Sequence, residues 1–378
     1  MEIEEGLWRV KTFRSKILGW ILSSITVDFS DPPNDKERAK LRKRRSRLRG
    51  QAESVIDATT AMRKIAAPSG IARVNVRYEF VDTGVPVSVQ RRGDPSDRRL
   101  PAKEDRPPAT QIMSPNGAAL RFFLATLFEA QARTRPGNRL PLAAGGSTTS
   151  WTDLIASGAE PSETQNYHMS VSAKKIRQLG TALDRLAEAK LVELTGKKDG
   201  PGTGKYEKFR LMHEGGRRET GPNIPYQVPD PQRERAFPVP VTLFTNGWIH
   251  VLEDTELAFL LMVASGHHTM AGQAFRITAA DRLLRFGIGR DAYSAYKILS
   301  GLGLVIVTQD PGRHLDGKVK DYGSGGKALP HTLGFVPAGF DRDALTTLSA
   351  QIDYQLDRLN ADTGRTVRRA ASAWSTPS

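Results

Sequence analysis

The 378-residue sequence contains no cysteine, which excludes disulfides, cysteine-ligated zinc and a thiol nucleophile. It also lacks an apolar run close to the roughly 20 residues that cross a bilayer. The nearest candidate, residues 15–27, follows three basic residues as a signal peptide would, but no convincing small-residue cleavage site follows it. We therefore expect a cytoplasmic protein without a membrane partner.

Positive charge, in contrast, is in excess. The chain has 55 Lys and Arg against 41 Asp and Glu, a net charge of +14. Such a surplus favours a polyanionic partner, nucleic acid first and an anionic membrane second. A surface that is merely soluble and highly charged is the alternative.

Half of the surplus lies in residues 34–50, which hold nine basic and two acidic residues. Because this stretch shows no apolar stripe, we interpret it as a basic arm that lies along a phosphate backbone. A solvated charged helix is the alternative, and a nuclear import signal would look similar. The candidate DNA contacts of this arm are Arg42, Lys43, Arg44, Arg45, Arg47 and Arg49.

Two stretches rich in Pro and Gly, 82–113 and 213–239, read as linkers. They separate a basic N-terminal region from two internal segments, the first unit and the second unit. The predicted boundaries are 1–81 for the N-terminal region, 114–212 for the first unit, 240–340 for the second unit, and 341–378 for a C-terminal helix and disordered tail.

The first unit begins with a helix predicted to start at Ser114 and Pro115. Ser150 and Asp153 predict a capping box, and Gly158 ends this short second helix. A third helix over 172–190 precedes a strand at 191–194, a glycine-rich loop, and a strand at 206–212. The third helix is expected to bury Ile176, Leu179, Leu183 and Leu186.

The second unit repeats this order. An apolar helix capped by Asp254 is followed by a short helix with Thr278 and Asp281 as its capping box, ending at Gly287. A third helix over 290–303 and strands at 304–307 and 331–336 complete the unit. Alignment on the shared Leu-Val dipeptides pairs Arg177 with Arg290 and Thr181 with Ser294.

This order of elements, found twice, resembles the winged-helix DNA-binding superfamily. The resemblance implies a mostly α fold with small β-hairpins (α+β), built from two tandem winged-helix domains. It also implies that each third helix enters the major groove. The expected recognition residues are Lys174, Lys175, Arg177, Gln178 and Thr181 in the first unit, and Arg290, Tyr293, Ser294 and Lys297 in the second. One departure is the long insert at 159–171 between helices two and three of the first unit.

The glycine-rich loop of the first unit, GPGTGK, is close to a phosphate-binding loop. That motif requires glycine where this chain has Asp199 and a hydroxyl residue where it has Tyr206. It also requires a helix after the loop, whereas the sequence predicts a strand. The loop is therefore interpreted as a wing, the hairpin loop that touches the DNA backbone. The candidate wing contacts are Lys197, Lys198, Lys205, Lys208 and Arg210 in the first unit, and Arg313, Lys318, Lys320 and Lys327 in the second.

A DNA nickase is the remaining enzymatic hypothesis. His267 and His268 precede Tyr293, as metal-binding histidines precede the nucleophilic tyrosine of replication nickases. The two histidines are adjacent, however, and are expected in a loop after an apolar helix. We therefore expect no catalysis, no metal and no cofactor.

Tandem winged helices in one chain resemble the replication initiators of bacterial plasmids. The sequence-level expectation is a nucleoid-associated protein that binds double-stranded DNA at origin repeats and recruits host replication proteins. A transcriptional regulator at an operator is the alternative. Residues 342–360 predict an amphipathic helix with Leu345, Leu348, Ile352, Leu356 and Leu359 on one side, which docks on the second unit or pairs two subunits as a homodimer.

Overall fold

The computed structural model describes residues 32–85, 99–114, 118–138, 150–156, 162–164, 167–195, 205–206, 208–216, 224–312, 319–325 and 329–373. The fold is mostly helical with small antiparallel sheets, which confirms the α+β class. None of the helices in these ranges is both long and apolar enough to cross a membrane.

Eleven α-helices are assigned within the described ranges. They are α1 (Asp35–Ser69), α2 (Pro108–Gln111), α3 (Ala119–Arg133), α4 (Val171–Glu188), α5 (Thr242–Thr245), α6 (Trp248–Val251), α7 (Asp254–Thr269), α8 (Ala279–Leu284), α9 (Arg290–Tyr293), α10 (Tyr296–Gly301) and α11 (Ala344–Ala373).

The strands of the same ranges form small antiparallel sheets. They are β1 (Arg73–Arg77), β2 (Ser162–Thr164), β3 (Tyr167–Met169), β4 (Val192–Leu194), β5 (Phe209–Leu211), β6 (Ala236–Pro240), β7 (Phe275–Arg276), β8 (Val305–Thr308) and β9 (Thr332–Phe335). The pairs are β1 with β6, β2 with β3 and β4 with β5, while β7, β9 and β8 form a three-stranded sheet in that order.

The basic stretch 34–50 is the start of a 35-residue helix, α1, and not a free arm. Asn34 and Glu37 cap its N-terminus, and Gly70 ends it in the left-handed conformation that favours glycine. Its large buried apolar residues recur every seventh position: Leu41, Leu48, Val55 and Met62. Because the intervening inward positions include Arg44 and Thr59, the stripe is too sparse to stand out in the sequence.

Helix α1 packs against both units. It contacts α3 and the 3-10 helix Trp151–Leu154 of the first unit, and α5, α6 and α11 of the second half. Strand β1 then pairs with β6 in a register that matches Val74 with Val239. A single hydrophobic core includes residues of α1, α3, α4 and α7. The N-terminal region is thus a structural part of the fold.

The two stretches predicted as linkers also contribute buried residues. Pro108, Ala109 and Thr110 of α2 are buried in the first stretch. Glu214 of the second is fully buried and accepts hydrogen bonds from the guanidinium group and the backbone N–H of Arg77. These segments therefore tie the two units and the N-terminal region together.

The first unit contains the predicted elements with shifted bounds. Its first helix begins at Ala119, and the backbone N–H of Ser114 instead donates to Asp254 at 3.0 Å. The capping box of Ser150 and Asp153 is confirmed, but it starts a 3-10 helix. The insert before α4 contains the β2–β3 hairpin. The predicted strands around the glycine-rich loop are confirmed as the antiparallel pair β4 and β5.

The second unit also follows the predicted order, with differences in the cap of its first helix, in its third helix and in its sheet. Helix α7 begins at Asp254, but Glu253 and not Asp254 is its N-cap, so that prediction is wrong. Thr278 caps α8 as expected. The predicted helix over 290–303 is split into α9 and α10. The strands β8 and β9 are confirmed, and β7 adds a third strand to their sheet.

The C-terminal helix α11 extends beyond its predicted end at residue 360. Leu348, Ile352 and Leu356 are buried, and α11 packs on α1 and α6, so the apolar stripe docks within the chain. The predicted disordered tail is helical as far as Ala373.

Candidate nucleic-acid interface

Helix α4 projects its N-terminal two turns out of the hydrophobic core. Ser170 caps the helix through a hydrogen bond from the backbone N–H of Ala173. None of residues 171–178, all of which the structure describes, is buried, whereas Leu179, Leu183 and Leu186 further along are. Helix α4 is therefore anchored by its C-terminal half and leaves its N-terminal half accessible.

The predicted recognition residues of the first unit lie on this projecting half. Arg177 and Thr181 are exposed, and Lys174, Lys175 and Gln178 are half-buried. The hydroxyl of Thr181 donates to the carbonyl of Arg177 at 3.1 Å, so it is already hydrogen-bonded within the helix. The prediction that Ile176 is buried is wrong, because its side chain is 57% exposed.

The hairpin β4–β5 is fastened to α4 by Asp184. This carboxylate accepts hydrogen bonds from the Lys205 ammonium at 2.8 Å and from the Tyr206 hydroxyl at 2.7 Å. The ring of Tyr206 lies over Gly180, where a Cβ atom would come within 3.1 Å of it. Burial opposes ionisation, but the two hydrogen bonds outweigh it and lower the pKa of Asp184. Tyr206 therefore orients the hairpin, a packing role for the residue that replaces the hydroxyl ligand of a nucleotide site.

The other predicted wing residues of the first unit have mixed positions. Lys197 and Lys198 lie outside the described residues. Lys208 is exposed, while Arg210 pairs with Glu193 across the hairpin at 3.0 Å. Lys205 and Arg210 each have a carboxylate partner, whereas Lys208 forms no ion pair with the described residues of the first unit.

In the second unit the predicted recognition residues divide between surface and core. Arg290 is exposed at the first position of α9. Tyr293 packs edge-on against Phe259 with ring centroids 5.6 Å apart, and the Arg282 guanidinium lies 4.7 Å from its ring. The half-buried Tyr293 therefore has a packing role, and its role in base reading stays a prediction. Ser294 donates to the carbonyl of Arg290 at 3.1 Å, as Thr181 does to that of Arg177, and Lys297 is half-buried.

The second hairpin is described only in part. Lys320 is exposed. The other three predicted wing residues, Arg313, Lys318 and Lys327, lie outside the described residues.

Fewer basic residues of α1 are accessible to DNA than the sequence predicts. Arg44 is buried and forms a two-pronged ion pair with Glu256, at 2.6 and 2.8 Å, so it cannot reach DNA. Burial disfavours its charge, but Glu256 and Glu253 raise the pKa of Arg44 above its ordinary value. Arg45 pairs with Asp353 and Arg47 with Glu253. The exposed members of the predicted set are Arg42, Lys43, Arg47 and Arg49.

A buried polar contact that no sequence pattern predicts joins the two units. The carboxylate of Asp254, at the start of α7, accepts a hydrogen bond from the backbone N–H of Ser114. Its Oδ1 lies 3.6 Å from Nε of Arg121 in α3. Burial raises the pKa of Asp254 to about 6, although Arg121 opposes the rise. His250 is buried nearby, with no hydrogen-bond partner for either ring nitrogen among the described residues. Burial, followed by Arg121 and Lys175, lowers its pKa to about 3.

The histidines of the nickase hypothesis lie in the last turn of α7, and not in a loop. His268 Nδ1 is 2.9 Å from the Tyr78 hydroxyl, and the His267 ring faces Phe335. Among the described residues no group of three or more His, Asp or Glu side chains is placed to hold a metal ion.

Comparisons with known protein families, with curated proteins and with solved structures gave no match for this chain.

Proposed function

We propose that this chain binds double-stranded DNA in a sequence-specific manner, with helix α4 in the major groove. The observation that carries the proposal is the projecting N-terminal half of α4, which holds Arg177 exposed and Lys174 beside it. Recognition helices read base edges with their N-terminal residues, so this half has the exposure and charge that the role requires.

The hairpin β4–β5 supports the same proposal. A wing works only when it is held at a fixed position relative to the recognition helix, because both must contact one duplex together. The contacts of Asp184 with Lys205 and Tyr206 provide this attachment. Lys208 remains exposed on the hairpin and would contact the phosphate backbone.

We propose further that each unit is a winged helix. Both contain a core helix, a short capped helix, a third helical stretch and an antiparallel strand pair, in this order, and the third stretch of the second unit is divided into α9 and α10. The exposed cations of α1, such as Arg42 and Arg49, would add backbone contacts from outside the two units.

The biological role that we propose is initiation of replication at repeated sites of a plasmid-type origin. The support is the tandem arrangement, which lets one chain cover two successive major grooves, or about 20 base pairs. This role also predicts contacts with host replication proteins.

The deciding experiment is selection of bound duplexes from a random pool by the full chain. We expect one consensus sequence, recovered as iterated sites in the replicon that carries the gene. Affinity for this consensus should fall steeply with salt, because Lys and Arg contacts release counterions from DNA. Recovery of no consensus would refute sequence-specific binding, and affinity independent of salt would refute the proposed phosphate contacts. A lone site beside a promoter would refute the initiator role and leave sequence-specific binding in place.

A further inference from the structure

Ile176 is the residue of α4 whose position the core does not explain. It lies three residues before Leu179 and seven before Leu183, on the side of the helix that becomes buried further along. At its own level, however, the helix has left the core, and the side chain is 57% exposed. Its immediate neighbours in sequence are Lys175 and Arg177.

An exposed branched apolar side chain among cations is matched by a specific feature of DNA. In the major groove, base edges present hydrogen-bond donors and acceptors, and thymine alone presents a methyl group. Isoleucine cannot form a hydrogen bond, so the base edge that gains from contact with it is the edge of thymine. The cations beside it favour the polyanion over an apolar protein surface.

We infer that Ile176 determines base specificity by packing against the C5-methyl group of a thymine in the bound site. This inference rests on the proposed DNA binding and adds the identity of one base and the residue that reads it. Val171, at 37% exposure, is the other large apolar side chain exposed on α4, and it lies more than one turn closer to the N-terminus.

The test removes the methyl group from the DNA and the side chain from the protein. In the selected duplex each thymine is replaced in turn by uracil, which differs only by that methyl. With the unaltered chain we expect one position where the replacement weakens binding about fourfold, the value of one buried methyl group. In Ile176→Ala the ratio of the affinities for the thymine and uracil duplexes at this position should fall close to one. In Ile176→Val this ratio should lie between one and the value for the unaltered chain.

The chain offers a matched control in Ile56, which is also on a helix and also 57% exposed. Ile56→Ala should keep the full uracil effect at the same position. Circular dichroism and thermal unfolding of both alanine variants should match those of the unaltered chain, because neither side chain is buried.

The outcomes separate the inference from the function on which it rests. Specific binding that is indifferent to uracil everywhere, or a uracil effect that persists in Ile176→Ala, would overturn the role of Ile176 alone. Failure to select any duplex would overturn both. Loss of self-association in Ile176→Ala, without a change in uracil discrimination, would show that Ile176 contacts another protein chain.

Discussion

The third helices of the two units carry the same short pattern, an arginine followed four residues later by a hydroxyl residue. In both, the hydroxyl donates to the carbonyl of that arginine at 3.1 Å. Their surroundings differ. Helix α4 is continuous over 18 residues and leaves its first two turns outside the core. In the second unit the corresponding stretch is split into α9 and α10, and its Tyr293 ring packs against Phe259 of α7.

The two units also differ in the segment that supplies an aromatic ring to this part of the third helix. In the same alignment Gly180 corresponds to Tyr293. In the first unit a ring comes from the hairpin, since Tyr206 lies over Gly180. In the second unit the third helix supplies its own ring, which packs against Phe259. We therefore expect the first unit to read bases and the second to contribute mainly backbone contacts.

The largest effect should come from the two rings. Tyr293→Ala removes a ring that packs against Phe259 and beneath Arg282, and should cost about 3 kcal/mol of unfolding free energy. Tyr206→Ala removes a ring that is 39% exposed and should cost about 1 kcal/mol. Urea denaturation of both variants measures the two losses of unfolding free energy. Equal losses would mean that the two rings are equally part of the core.

The contact between the units should make stability depend on pH. The pKa of Asp254 is raised to about 6 in the folded chain, so the fold binds its proton more tightly than the unfolded chain does. The contribution of this group to stability is therefore present below about pH 4 and is lost as pH rises through 6, by about 2–3 kcal/mol.

Asp254→Asn should abolish this loss, which denaturation at pH 4 and pH 7 measures. His250, with a lowered pKa, gives the opposite slope below its ordinary value, so the comparison of variant with unaltered chain is the informative quantity. Asp353→Asn removes a half-buried carboxylate that pairs with Arg45 and takes no part in this contact, and it is the control. The same change there would contradict a special role for the contact between the units.

Base reading should distinguish the two aligned arginines. Arg177→Ala should cost about 2 kcal/mol on the selected duplex and relax base preference at one position. Arg290→Ala should cost less than about 1 kcal/mol, with equal loss on random DNA. Arg233→Ala, which removes an arginine that is 86% exposed elsewhere, is the control for charge. A larger effect of Arg290 would reverse the assignment of roles.

The smallest effect concerns the attachment of the hairpin. Asp184→Ala releases Lys205 and Tyr206, and should lower stability by less than about 1 kcal/mol because the group is exposed. Hydrogen exchange in β4 and β5 should nevertheless become faster, since the hairpin loses its tie to α4. Asp230→Ala, which breaks the ion pair of a half-buried carboxylate with the exposed Arg233, should leave this exchange unchanged.

Local patterns were sufficient for much of the fold. Capping residues such as Ser150 and Thr278 marked real helix starts, and the strand pattern after Tyr206 excluded a nucleotide loop in favour of a hairpin. These features depend on residues within a few positions of one another, so the sequence contains the information. The function of the chain, in contrast, stays a prediction at both levels.

The predictions that were wrong for Ile176 and Arg44 concern how deeply a side chain is buried, and not which helix or strand it belongs to. Ile176 lies on the correct side of α4 but beyond the end of the core, and helical periodicity gives the side of a helix without its depth. Arg44 was predicted to be a surface cation, but it is buried and pairs with Glu256, which lies 212 residues away in the sequence. No local sequence pattern predicts such a distant partner.

The sequence by itself determined the order of helices and hairpins, their caps and the excess of positive charge, because each of these depends on neighbouring residues. Only the tertiary structure decided which cations remain available to a partner, and how far α4 extends beyond the core. The physical reason is that burial and ion pairing depend on segments distant in the chain, such as α1 and α7, which meet only when the chain folds.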